Sequence, residues 1–88
     1  MKELPSDVNS YKKTNIFSQD DIPAGLLKDH QTKENTWGMI RVIEGEIMYV
    51  IGGEEVLLSP PIPGVIEPEV HHHVKVVGPV KFYVEFYK

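Results

Sequence analysis

Apolar and polar residues alternate most cleanly near the end of the chain. There Val80, Phe82, Val84 and Phe86 fall on one face of an extended strand, and Lys81, Tyr83, Glu85 and Tyr87 fall on the other. The same reading predicts a strand over residues 37–43, a turn at Glu44-Gly45-Glu46, and a second strand over 47–51. Gly52-Gly53 is a two-residue hairpin signal, because glycine accepts the positive φ that a primed turn requires, and residues 54–58 are the returning strand. Pro60, Pro61 and Pro63 lack the N–H a sheet ladder needs, so residues 59–64 should wrap a rim rather than enter the sheet. Residues 65–67 and 70–77 are the next extended pieces, with a turn at Gly78-Pro79 before the last strand. Towards the amino terminus, residues 11–17 read as a short edge strand, 18–23 as a turn, 26–30 as a strand and 31–35 as a polar loop. Residues 1–10 read as a flexible arm ahead of one domain over 11–88. Several short strands, regular Gly and Pro punctuation and no helix longer than a turn imply an all-β fold, a sandwich or small β-barrel.

Composition narrows the function classes. With 41% hydrophobic and 25% charged residues, the chain has ordinary globular usage rather than the signature of disorder. A length of 88 residues is near the lower end for a self-sufficient core, so a partner copy would help. Tyr83 and Tyr87 on the outer face of the last strand suggest a homodimer surface. The net charge of −4 argues against nucleic acid, whose recognition draws on Lys and Arg. No cysteine is present, so thiolate catalysis, disulfides and Cys-ligated zinc are excluded, and any metal must use nitrogen and oxygen donors. No apolar run is long enough to span a bilayer and no signal-peptide core is visible, which makes a cytoplasmic protein without membrane contact the expectation.

Candidate chemistry is concentrated in residues 67–74, where Glu67, Pro68 and Glu69 precede Val70 and three consecutive histidines. Strand parity divides the histidines. His72 shares a face with Val70, Val74 and Val76 and should point inward, whereas His71 and His73 share theirs with Glu69 and Lys75 and should point outward. The outward pair forms a secondary metal candidate, though two imidazoles alone make a poor site. Pro68 biases Glu67 to an extended conformation, and a turn there can bring Glu67 and His72 to one cavity. Trp37, Arg41 and Tyr49 are the candidate ligand-pocket residues: an aromatic wall, an anchor for an anion or a carboxylate, and a second aromatic.

The order His30-Gln31-Thr32-Lys33, Thr36-Trp37-Gly38, Glu44-Gly45, Glu67-Pro68 and His72 resembles the small cupins related to TehB and YeaR, a family tied to tellurite resistance. The resemblance covers about residues 11–88 and implies a double-stranded β-helix, the cupin form of the jelly roll. It also implies a constellation of His30, Glu67 and His72, two imidazoles and a carboxylate that could hold one divalent metal ion, zinc or iron. The chain departs from the cupin pattern at Thr32, where a second histidine is expected, at Trp37-Gly38, which occupy the place of a glutamate, and at His71, where an aromatic residue is expected. It has no glycine-rich nucleotide loop, so methyl transfer is not expected of it. The functional expectation is a barrel that binds a divalent metal or small ligand, with a metal-dependent enzyme and a metal-free sensing or dimerisation module as the alternatives.

Overall fold

The alternation becomes six strands and one helical turn, in the order β1 (Ser10–Lys13), β2 (Phe17–Ser18), α1 (Ala24–Leu27), β3 (Trp37–Ile51), β4 (Glu54–Leu58), β5 (Gly64–Ile66) and β6 (His72–Tyr87). These assignments come from a computed structural model that describes residues 2–88; of the arm expected over residues 1–10, Met1 lies outside the described residues, and Ser10 already belongs to β1. All strand pairs are antiparallel in one sheet of order β1-β6-β3-β4, with β2 beside β6 and β5 beside β3. Gly52 and Gly53 take φ of 54° and 84° and close the β3–β4 hairpin, with Ile51 opposite Glu54.

Two expected turns are not turns. β3 runs for 15 residues through Glu44-Gly45-Glu46, and β6 runs for 16 through Gly78-Pro79. The two breaker signals lie across from each other, Gly45 opposite Val80 and Glu44 opposite Lys81, and the ladder shifts register on either side. Each is therefore absorbed as an irregularity that increases local twist without ending the strand. Gly45 has φ of 79°, and its bare Cα accommodates the Pro79 carbonyl. Beyond the irregularity the partners change: β5 and β2 flank one end of the β3–β6 ribbon and β4 flanks the other. Ile40 and Val84 at one end share a single buried cluster with Ile47, Tyr49, Ile51 and Val74 at the other, so the ribbon folds over on itself.

Residues 26–30 are not a strand. Pro23 sets the entry to α1, the Leu26 amide donates to the Pro23 carbonyl at 2.9 Å, and the turn drops Leu26 against the core cluster. Among the described residues no helix is long and apolar enough to cross a membrane.

Candidate functional site

His72 opens β6 with its side chain inward, as parity predicts, and is only 2% exposed. His30 is brought to it by a two-way backbone bridge: the His30 amide donates to the His72 carbonyl at 3.1 Å and the His72 amide to the His30 carbonyl at 2.8 Å. Their rings lie 4.1 Å apart at 59°. Next to this bridge Asp29 and His73 meet through Asp29 Oδ1 and His73 Nδ1 at 2.5 Å, which fastens the segment after α1 to the start of β6.

The hydrogen bonds of the two imidazoles determine their chemistry. His72 Nδ1 lies 2.9 Å from the Val70 carbonyl and His30 Nδ1 lies 3.0 Å from the Lys28 carbonyl. A carbonyl can only accept, so both Nδ1 atoms carry a proton, and in a neutral ring the lone pair is then on Nε2. Nε2 of His72 is buried and has no hydrogen-bond partner. Burial also pushes the His72 pKa below its ordinary value, against a smaller opposite pull from the Val70 carbonyl, and so favours the neutral ring. An unpartnered acceptor of this kind is expensive unless something fills it.

Above the pair lies an open mouth of about 330 Å³, lined by Thr14, Phe17, Pro23, Leu26, Val84 and Phe86, with His30 at its edge. A recess of about 10 Å³ shares Leu26, His30 and Val84 with it, and there His30 and His72 meet Ile40, Ile66 and Phe82. The sequence indicated the Val84 and Phe86 face through its alternation. Phe17 and Leu26 carried no such signal, because one stands on a two-residue strand and the other on a helical turn.

The remaining sequence candidates fall elsewhere. The Glu67 carboxylate faces Lys2, with Oε1 3.9 Å from Nζ, and among the described residues no group of three or more His, Asp or Glu side chains converges as metal ligands would. Burial, with a smaller contribution from Glu67, pushes the Tyr49 phenol above its usual range, and its hydroxyl donates to the Val65 carbonyl at 2.8 Å in the core. Trp37 and Arg41 lie on the outer face of β3 and line neither the mouth nor the recess. Arg41 is committed to Glu85, through Nε at 2.8 Å, and to the Tyr87 hydroxyl at 2.8 Å. His71 is exposed ahead of β6, and His73 is held by Asp29.

Fold and site define a class: small all-β domains whose folded ribbon carries an imidazole pair behind an apolar mouth. The chain belongs to the TehB-like domain family, whose profile matches residues 12–84. A protein of E. coli strain K12 superposes with a TM-score of 0.89 at 18% identity, over 100% of this chain and 97% of that one. TehB from Haemophilus influenzae superposes at 0.84 with 23% identity over 93% of this chain, which spans 32% of TehB. KdgF from Halomonas sp. gives 0.59 at 16% identity, covering 91% of this chain and 63% of that one. At such identities the likeness is one of fold. A search of curated proteins gave no significant match.

Proposed function

We propose that the chain is a cupin-type ligand-binding domain that takes a small molecule into the mouth above His30 and His72. The observation that carries this reading is the buried, unpartnered Nε2 of His72, a residue lining the recess that adjoins an apolar opening through shared Leu26, His30 and Val84. Binding sites are typically apolar concavities with a few placed polar groups, and the arrangement here has that character. Membership of the TehB-like family supports linking this reading to resistance to tellurite or related chemical stress. The test is a thermal-shift screen of small apolar-bodied molecules against the parent and Leu26→Trp, in which the larger side chain fills the mouth. Stabilisation of the parent by at least one compound, lost in Leu26→Trp, supports the assignment; equal shifts in both proteins contradict it.

A second reading, a bound divalent metal, is favoured by the two Nδ1–carbonyl hydrogen bonds. Metal-bound histidines commonly hold their second nitrogen in this way. Imidazole nitrogen suits zinc or iron, and His30 and His72 would hold the ion. The donor type fits but the donor count does not, since Glu67 is turned towards Lys2 and among the described residues a third protein ligand is not gathered. Elemental analysis of untagged parent and His72→Ala decides this reading: one equivalent of zinc or iron in the parent and little in the variant supports it, and equal content in both removes it.

A further inference from the structure

The polar inventory of the mouth and recess restricts the ligand further, on the ligand-binding reading above. Among the described residues no Lys, Arg, Asp or Glu lines either space. Thr14 Oγ1 is already used, donating to the Asn15 carbonyl and accepting from the Val84 amide, each at 2.9 Å. His73 contributes to the recess wall, but its Nδ1 is taken by Asp29. What remain are the Nε2 atoms of His30, His73 and His72; of these, His72 Nε2 is the one that is buried and unpartnered among the described residues, and with Nδ1 donating to the Val70 carbonyl the neutral ring can accept a hydrogen bond there and cannot donate one. A recess of about 10 Å³ is the size of a single water-sized probe, room for the tip of a ligand and no more. The apolar bulk must stay in the wider mouth of about 330 Å³, against Phe17, Leu26 and Phe86.

We infer that the ligand of this site is a small uncharged molecule with an apolar body and one O–H or N–H donor, the donor directed at His72 Nε2. In the recess an anion would be buried with no Lys or Arg to meet it, and a cation with no carboxylate, among the described residues. Inorganic oxyanions are disfavoured in the recess on the same ground. Arg41, the residue whose chemistry would suit them, is bound to Glu85 on the outer face.

Three probes of similar shape separate the terms: phenol, neutral at pH 7 and a donor; toluene, neutral without a donor; and benzoate, charged. Their affinities are measured by NMR titration of the full chain, following the methyl groups of Leu26 and Val84 and the ring nitrogens of His72. Phenol moves the His72 Nε2 resonance and toluene does not, while benzoate binds at least about tenfold more weakly than phenol. In His72→Phe the preference for phenol over toluene falls roughly fivefold, the value of one hydrogen bond. If that variant does not fold, the Nε2 response of the parent carries the same information. Benzoate binding as tightly as phenol, or toluene and phenol moving Nε2 equally, overturns the inference while leaving the mouth a ligand site. Methyl groups that respond to none of the three overturn both.

Discussion

Two buried polar side chains on β6, His72 and Glu85, are satisfied in opposite ways. His72 has one nitrogen engaged and one unpartnered. Glu85, only 8% exposed, is fully met: Ser10 Oγ donates to Oε2 at 2.7 Å and Arg41 Nε to Oε1 at 2.8 Å. Those bonds, led by Ser10 and followed by Arg41 and Tyr87, outweigh desolvation and hold the carboxyl at about 2, below its ordinary 4.5. A folded pKa below the unfolded one stabilises the protein above about pH 4.5, and this contribution disappears as pH falls through about 2. Urea unfolding across that window should therefore show the parent losing stability as the carboxylate is protonated. Glu85→Gln should be weaker at pH 7 by roughly 1 kcal/mol, after allowance for solvent screening, and should have a flatter profile below pH 4.5. Parallel profiles for the two proteins would remove Glu85 as the cause. Parity made the inward His72 legible in the sequence but placed Glu85 on a solvated face. Alternation reports which face a residue occupies, not whether Arg41 on a neighbouring strand and Ser10 on another close over it.

At the level of elements, the strands were legible and their interruptions were misread for one physical reason. Glycine at positive φ and a neighbouring proline are the local signal of a turn and equally of a bulge, and only the partner strand decides between them. Gly45 and Pro79 face each other across β3 and β6, so two apparent turns became one irregular crossing in a continuous ribbon. A Cβ at Gly45 would approach the Pro79 carbonyl oxygen to 2.0 Å, whereas one at Gly53, also at positive φ, would meet open space. Gly53→Ala should cost about 1 kcal/mol of backbone strain alone, and Gly45→Ala about 2–3 kcal/mol because the clash with backbone is added. Equal losses in chemical denaturation would mean that the two strands do not approach closely at Gly45. The helical turn of α1 was unreadable for a different reason: four residues give no periodicity, and Leu26 is held there by its packing over the mouth.

Across the whole molecule, folding the β3–β6 ribbon brings residues 14–30 against 72–86, and the candidate site exists only after that closure. His30 and His72 stood out in the sequence because each sits in a short motif resembling one small family. The mouth did not, since its lining comes from five separate segments with no shared spacing. Arg41 and Trp37 looked like pocket residues for the same reason: which side of a long strand faces a cavity depends on how the sheet closes. The proposed binding depends on one atom, the buried Nε2 of His72, being an unprotonated acceptor. The most direct measurement is a nitrogen-15 spectrum of the histidine rings in the ligand-free protein at pH 7, with His72 assigned through His72→Gln. The account predicts a neutral ring with the proton on Nδ1, bonded to the Val70 carbonyl, and a bare Nε2. A proton on Nε2 would contradict it, because the site would then offer a donor and its ligand would have to be an acceptor.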